Sequence, residues 1–321
     1  MLSLQHLRIA ATNNIRFANK PLMSHGASKH WAQQSRIRHG PTGSINPNFC
    51  PSKLSLADSS KKKLSLAGVS QCADQIELPK ELKPELMPKH VAVIMDGNRR
   101  WAKSRGLPVQ LGYTAGGQAM KQLALNCKKF GVQVVTVFAF SSENWVRPKE
   151  EVDFLMNVFE DVLKPDLKEL ILQKDMRLSV VGNRSQLPES LQNLLSSSEE
   201  LAKSKRGMRL ILALNYSGRK DITQATKNIA AKVRNGVLQV EDINESLFEQ
   251  HLQTNGIDFP NPDLLIRTSG ELRLSNFMLW QLAYTELLFF DKMFPDFDEA
   301  DLVEGLTAFQ RRQRRFGGHK Y

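Results

Sequence analysis

The sequence has few cysteines and no long apolar run. Only three cysteines occur in 321 residues, and their odd number and wide spacing favour neither a metal-binding CxxC pair nor a disulfide framework. A reducing compartment is therefore the simpler expectation. No apolar run approaches the roughly 18–20 residues that would cross a bilayer. The length allows one large α/β domain or two small ones.

Acidic residues are absent from the first 57 positions, which contain seven Lys and Arg side chains. Residues 1–63 hold nine of the eleven net positive charges, so the rest of the chain carries only +2. A nearly neutral folded part argues against general binding to nucleic-acid phosphates, and we predict no nucleic-acid partner. An acid-free N-terminus with Arg and Ser is typical of an organelle transit peptide, although a disordered basic tail would look similar.

Residues 1–75 are predicted to form a transit peptide and disordered linker, and residues 76–321 the folded domain. The leader lacks the compact apolar stretch of a secretory signal. Its dispersed Ser, Asn and Gly favour a chloroplast, whereas residues 2–8 could begin an amphipathic mitochondrial presequence. We predict the chloroplast, with the mitochondrion as the alternative.

From about Leu86, short apolar runs alternate with amphipathic stretches, a pattern typical of βαβ units around a mainly parallel sheet. Six strands are expected, at 90–95, 132–140, 177–181, 208–214, 264–267 and 287–290. Helices are expected at about 114–130, 148–173, 188–204, 220–235, 244–253 and 299–314. Because neither a repeat nor a second composition regime is visible, we predict a single α/β domain whose six-stranded sheet is flanked by helices.

The first chemical motif follows the first strand. Asp96 at the carboxyl end of a parallel strand would lie where open α/β sheets bind ligands. Gly97 lets a ligand approach the backbone, and the helix that begins here presents N–H groups to anions. Arg100 can add charge-assisted hydrogen bonds to a phosphate, and Mg²⁺ could bridge that phosphate and Asp96. A strand-end aspartate that only caps the next helix would give the same pattern.

A second motif follows the next strand, in the segment FSSENWVRP. Asn144 and Arg147 would be able to hold a diphosphate beside Asp96 if the two strands are neighbours, as parallel βαβ order favours. The alternative is that Ser and Asn only cap the helix near Pro148.

A third motif, IRTSGELRLSNF, contains two arginines six positions apart around a turn. Arg267, Arg273 and Ser275 would make a second anion pocket. Solvated surface arginines are the alternative, but Arg267 ends an apolar strand, which favours a function.

Two features lie farther along the chain. Glu286 enters an apolar strand, which is costly unless a metal or an arginine pairs with it. The tail has two glycines beside Arg315. The backbone N–H groups of these glycines could bind a phosphate, although most basic tails are simply solvated. Together the motifs describe two anion sites with two carboxylates between them and neither a nucleophilic triad nor a histidine base. This set favours a metal-assisted departure of diphosphate over acyl transfer.

The segments DGNRRWA, FAFSSENWVRP, ALNYSGR, LLIRTSGELRLSNF and WQLAYTE occur in the order seen in cis-prenyltransferases. Over residues 86–321 the chain resembles this family of undecaprenyl and dehydrodolichyl diphosphate synthases, and its leader resembles that of plant plastid members. The resemblance implies an α/β homodimer with a hydrophobic tunnel between sheet and helices. It also implies that isopentenyl diphosphate is added to an allylic diphosphate with a Z double bond, and that the lipid product could bring the enzyme to a membrane surface.

The resemblance also implies roles for individual residues. Asp96 would be the acid associated with Mg²⁺ at the allylic diphosphate, Asn144 would lie near the reacting carbons, and Glu286 would be the second carboxylate near Mg²⁺. The other implied substrate-binding residues are Gly97, Asn98, Arg100, Trp101, Ser141, Trp145 and Arg147 at the first site, and Arg267, Arg273 and Ser275 at the second. Arg315 and Gly317 would reach toward the isopentenyl site across the dimer.

The sequence departs from the family pattern in three places. Val109 and Tyr113 stand where many members have Arg and His, so the first diphosphate site is expected to be weaker or differently arranged. Ser217 and Ser269 replace glycines, with modest expected effects. The small Ala139 leaves space at the tunnel floor, which favours a medium-chain product.

Other functions remain as alternatives. The product could instead have a short chain of C10–C20, or the chain could be a silent partner subunit of a heteromeric enzyme, although such subunits lose the acid that Asp96 provides. A trans-prenyltransferase is disfavoured because the sequence has no DDxxD motif.

Overall fold

Near-continuous runs of Val, Ile, Leu and Ala form the strands, because a parallel strand is covered on both faces and needs apolar residues toward each. The computed structural model describes residues 78–316, so the predicted leader (1–75) and Gly317 lie outside the described residues. All six predicted strands are present. They are β1 (His90–Ile94), β2 (Val134–Ser141), β3 (Arg177–Val181), β4 (Arg209–Tyr216), β5 (Leu264–Arg267) and β6 (Glu286–Phe289).

The strands form one sheet in the order β3-β4-β2-β1-β5-β6, and every pairing is parallel. The predicted single α/β domain with a parallel sheet is thus confirmed for the described part. Strand β1 has β2 on one side and β5 on the other, with Ile94 opposite both Phe138 and Arg267. Because the strands are parallel, the loops that follow β1, β2, β4 and β5 meet at one edge of the sheet.

Seven α-helices are described between residues 78 and 316. They are α1 (Asn98–Ser104), α2 (Val109–Lys129), α3 (Lys149–Leu172), α4 (Glu189–Ala202), α5 (Gly218–Arg234), α6 (Glu245–Glu249) and α7 (Glu299–Gln310). Helix α2 begins before the predicted position 114, directly after Pro108, whose fixed backbone suits a helix start. Helix α7 ends before the predicted position 314, and the residues after it bind carboxylates at the start of β5 and β6 instead.

Helices cover both faces of the sheet. Along β1, Val91 and Val93 belong to the larger core beneath α2, α3, α4 and α7, whereas Ala92 and Ile94 belong to the smaller core on the other face. The two cores therefore follow the alternation of side chains along a strand. Between residues 78 and 316, no helix is both long and apolar enough to cross a membrane.

Candidate functional site

A cavity of about 560 Å³ opens at the carboxyl edge of the sheet. Its polar lining comes from α1, the end of β5 and the loops after the strands, and its apolar lining comes from α2, α3, β1, β2 and β4. Ten residues predicted to contact substrate line it: Asp96, Gly97, Asn98, Arg100, Ser141, Asn144, Arg147, Arg267, Arg273 and Ser275. The apolar lining includes Met120, Leu155, Val158, Phe159, Leu163 and Leu212. The cavity thus has a charged mouth and an apolar interior.

The turn after β1 requires glycine. Gly97 has a φ of +107°, and a Cβ there would lie 2.9 Å from Ser269 Oγ and 3.0 Å from Met293 Cβ. Thr268 fixes the backbone of the preceding residue, since its Oγ1 accepts from Asp96 N at 3.0 Å and donates to Asp96 O at 2.8 Å. The Asp96 carboxylate is therefore presented to the cavity from a rigid turn.

The Asp96 carboxylate lies between the two predicted anion sites. Its Oδ2 accepts from Arg267 Nη2 at 2.8 Å. Its Oδ1 accepts from Gly97 N at 2.7 Å and lies 3.5 Å from Arg100 Nη2. About 30% of its side chain remains exposed, so a further ligand can still reach it.

Arg267 is the most enclosed of the arginines that line the cavity, with 4% of its side chain exposed. Besides Asp96, it donates through Nη1 to Ser275 Oγ at 2.7 Å and to the Arg273 carbonyl oxygen. The predicted grouping of Arg267, Arg273 and Ser275 is therefore present.

Glu271 joins the two predicted anion sites. Its Oε1 lies 2.8 Å from Arg100 Nη1, and its Oε2 pairs with Arg273. No role was predicted for Glu271, although an acid inside an arginine-rich segment was a signal that could have identified it. Arg100 and Arg273 were expected at different sites, and this carboxylate holds them together.

A second carboxylate that the sequence analysis missed organises the other side of the mouth. Glu151 of α3 accepts a hydrogen bond from Tyr113 Oη at 2.8 Å and lies 3.3 Å from both Arg99 and Arg147. Tyr113 Oη also accepts from Arg147 Nη1 at 3.2 Å. Burial raises the pKa of Tyr113 well above its ordinary value, so the phenol keeps its proton. Tyr113, which departs from the family pattern, is thus part of the site.

The loop after β2 presents Asn144 to the cavity. Asn144 Oδ1 accepts from Ser141 N at 3.0 Å, and within residues 78–316 its Nδ2 makes no hydrogen bond, which leaves a donor for a ligand. Glu143 beside it binds Ser141, Ser217 and Asn276. Burial alone would raise the pKa of Glu143, but these hydrogen bonds outweigh it and lower the pKa below its ordinary value.

Trp101 and Trp145 do not line the cavity, so direct contact of either ring with substrate stays a prediction. Trp101 Nε1 donates to Asp296 Oδ1 at 2.7 Å, and its ring lies under the Arg105 guanidinium at 4.4 Å. Trp145 Nε1 donates to Asn215 Oδ1 at 2.8 Å, and its ring packs edge-on against Phe140. Each indole N–H thus has a hydrogen-bond partner that does not line the cavity.

Glu286 and Arg315 are also distant from Asp96 in the same chain. Glu286 begins β6 opposite Leu264, which lies opposite Val91, so it is at the amino edge of the sheet. From Val91, β1 runs on to Ile94, about 10 Å at 3.3 Å per residue, and Asp96 lies two residues beyond that end. Within one chain Asp96 and Glu286 are therefore too far apart to share a metal ion, and a role of Glu286 near Mg²⁺ stays a prediction.

Glu286 does have the arginine partner that its position demanded. Arg312 Nη1 lies 2.7 Å from Glu286 Oε2, and Arg314 binds Asp263, so the tail crosses the amino edge of the sheet. Arg315 follows within this tail, is exposed, and donates to Gln313 Oε1 at 3.0 Å. It does not join the other predicted phosphate ligands of its own chain.

Comparison with known proteins identifies the family. The family model for undecaprenyl diphosphate synthases, a prenyltransferase family, matches residues 94–317. The chain is 55% identical over 245 residues to dehydrodolichyl diphosphate synthase CPT5, chloroplastic, of Solanum lycopersicum, covering 76% of this chain and 78% of that one. It is 53% identical over 241 residues to nerylneryl diphosphate synthase CPT2, chloroplastic, of the same species, covering 75% and 74%.

Among solved structures, lavandulyl diphosphate synthase from Lavandula x intermedia in complex with dimethylallyl diphosphate is similar to this chain. The two are 50% identical with a TM-score of 0.71, covering 73% of this chain and 99% of that one. The family and these relatives are transferases. On the matched family model, the relatives and the fold, the chain belongs to the undecaprenyl diphosphate synthase family of cis-prenyltransferases.

Proposed function

We propose that this protein joins isopentenyl diphosphate to an allylic diphosphate and forms a Z-prenyl diphosphate. The observation that carries the proposal is the single cavity in which an arginine-rich mouth continues into an apolar interior. Such a cavity complements a substrate with a charged diphosphate head and a hydrocarbon tail. Five arginines (Arg99, Arg100, Arg147, Arg267 and Arg273) and Lys103 surround three carboxylates there, which leaves excess positive charge for diphosphate.

The reaction needs an electrophilic and a nucleophilic partner side by side. At the first site, Arg100 and Arg147 would bind the allylic diphosphate, and the C1–oxygen bond would break with both electrons leaving on diphosphate. The isopentenyl double bond, held through Arg267, Arg273 and Ser275, would attack C1, and loss of a proton would give the new Z double bond. Arginine hydrogen bonds strengthen as charge develops on the leaving group, which lowers the barrier.

A magnesium ion fits this site through Asp96. No cluster of three or more His, Cys, Asp or Glu side chains suited to a metal ion occurs within residues 78–316. Mg²⁺ commonly takes one or two carboxylates and completes its shell with substrate phosphates. The partly exposed Asp96 beside the arginines offers such a position, and the ion would supply charge stabilisation to the departing diphosphate.

A homodimer is part of the proposal. Arg315 lies at the sheet edge opposite the cavity of its own chain, so we propose that it serves the site of a second copy. We also propose that residues 1–75 direct the protein to the chloroplast, as several relatives are named chloroplastic. A fluorescent reporter fused to residues 1–75 should then enter plastids in plant cells, and a purely cytosolic signal would contradict this.

Product length is proposed to be medium chain, with C10–C20 as the alternative. Ala139 lines the cavity, and its small side chain leaves room there. The relatives are named as synthases of (2Z,6Z)-farnesyl, nerylneryl and dehydrodolichyl diphosphate, so relatives of similar identity are named for products of different length. A prenyl product of this length would also favour peripheral association with a membrane.

The direct test incubates the purified full-length chain with Mg²⁺, labelled isopentenyl diphosphate and allylic primers of C5, C10, C15 and C20. Chromatography and mass spectrometry measure the chain length, and NMR measures double-bond geometry. We expect Z-configured products. A folded protein that incorporates no label with any primer would refute the proposal and favour the silent partner subunit, an idea kept open by Val109 and Tyr113.

A further inference from the structure

Glu151 holds an unusual position for a carboxylate beside a diphosphate site. Only 14% of its side chain is exposed, yet three groups converge on it: Arg99, Arg147 and Tyr113. A carboxylate withdrawn from water needs such partners to offset its desolvation. Two of these partners, Arg99 and Arg147, are cations that line the cavity. The contacts of Glu151 therefore affect how these two side chains are oriented toward a ligand.

Arg147 is held at one corner only. Its Nη1 contacts both Tyr113 Oη and Glu151 Oε1, and within residues 78–316 its Nη2 and Nε make no hydrogen bond. The planar guanidinium is thus anchored on one nitrogen while its remaining donors stay available. An arginine restrained in this way loses less conformational freedom when it binds a phosphate than a freely rotating one.

Tyr113 determines which group donates and which accepts in the hydrogen bonds that join Arg147, Tyr113 and Glu151. Its hydroxyl donates its single proton to Glu151 and accepts from Arg147, so both of its hydrogen-bonding capacities are used. Burial keeps the phenol protonated, because the high pKa of Tyr113 prevents a phenolate from forming at ordinary pH. The three side chains form a fixed chain from α2 through α3 to the loop after β2.

We infer that Tyr113 and Glu151 are positioning residues that orient Arg147 toward the allylic diphosphate. This inference rests on the proposed function. Neither residue needs to touch the substrate, since both act through the Arg147 guanidinium.

The test is a double-mutant cycle between Tyr113→Phe and Arg147→Ala. Tyr113→Phe removes only the hydroxyl, and we expect the KM for the allylic diphosphate to rise about tenfold, as loss of a hydrogen bond to a charged group suggests. The kcat should change less than about threefold, because the arginine itself remains. In the Arg147→Ala background, adding Tyr113→Phe should alter KM by less than about twofold.

Thr114→Val is the matched control, since it deletes a neighbouring hydroxyl on α2 that bonds only to the Gln110 carbonyl oxygen. It should leave KM unchanged. A Tyr113→Phe effect that persists without Arg147, or no effect at all, would overturn the inference. Thermal unfolding of each variant separates loss of fold from loss of positioning.

Glu151→Ala tests the second residue. We expect KM to rise, and Glu150→Ala, at the exposed neighbouring position, should leave it unchanged. A KM that falls would mean that the Glu151 carboxylate competes with diphosphate for Arg147, which would overturn its assignment as a positioning residue.

The same double-mutant cycle can be measured without turnover, as the Kd of a non-reactive allylic thiodiphosphate determined by calorimetry for each variant. The expected pattern in Kd matches that in KM. If the wild type bound this analogue but made no product, the proposed function would fail while the cycle still decided the inference.

Discussion

Ser269 has an unfavourable backbone conformation beside the turn at Gly97. Its φ of +80° lies in the left-handed region that side chains other than glycine rarely adopt, and its buried Oγ has no hydrogen-bond partner among the described residues. Ser217 also stands where the family pattern has glycine, but its φ of −153° is ordinary extended backbone. Its hydroxyl bonds to Glu143 and Asn276. The two replacements therefore differ in energy although they look alike in sequence.

Ser269→Gly is expected to raise the free energy of unfolding by about 1 kcal/mol, because relief of strain and of the unpaired hydroxyl exceeds the entropy that glycine adds to the unfolded chain. Ser217→Gly, the matched variant, should lower it by about 1 kcal/mol. Denaturant unfolding of both variants measures the difference. Equal effects of the same sign would contradict this reading of the two backbones.

The elements near the site depend on close contacts between helices and strands. A Cβ at Gly112 of α2 would lie 2.2 Å from the backbone carbonyl oxygen of Asn98, so the close approach of α1 and α2 depends on glycine at this position. On β1, His90 donates through Nδ1 to the Phe259 carbonyl oxygen at 2.8 Å. Its Nε2 therefore accepts from Thr136 Oγ1 of β2 at 2.7 Å, which links three segments through one neutral ring.

His90 should make stability depend on pH. Burial lowers its pKa from 6.5 to about 4. Between these two pH values the unfolded chain binds a proton at His90 that the folded chain does not. The contribution of His90 to the free energy of unfolding is therefore fully present above pH 6.5 and is lost as the pH falls toward 4. The loss amounts to about 3 kcal/mol.

The comparison is between wild type and His90→Gln, whose unfolding free energies are measured by denaturant from pH 4.5 to 7.5. The variant should be less stable at pH 7 and should show a flatter dependence on pH. An identical slope in the two proteins would show that His90 is not the responsible group.

The strands and most helices were predictable because their patterns are local. Val91 and Val93 alternate with Ala92 and Ile94, and the loops after β1 and β2 carry recognisable polar motifs. Contacts between side chains on different helices could not be predicted from such local patterns. The pairing of Glu151 on α3 with Tyr113 on α2 depends on how two helices pack, and no spacing in the sequence encodes it.

At the scale of the whole molecule, the parallel arrangement of the strands explains which site predictions succeeded. Asp96, Asn144 and Arg267 all lie at the carboxyl ends of neighbouring strands, where the rule for open α/β sheets places a ligand site. Glu286 comes at the start of its strand, and the same rule places it at the other edge. The sequence does not show which acceptor, Asp296 or Asn215, each indole reaches, because both contacts join distant parts of the chain.

We propose that prenyl transfer occurs at this cavity with Asp96 between the two diphosphates. The most direct test of this proposal is single-turnover transfer from isopentenyl diphosphate by wild type and Asp96→Asn, with Asp161→Asn on the exposed surface of α3 as the control. We predict that the wild type and the control form product alike, whereas Asp96→Asn is folded and at least about a hundredfold slower. Near-normal transfer by folded Asp96→Asn would contradict the account.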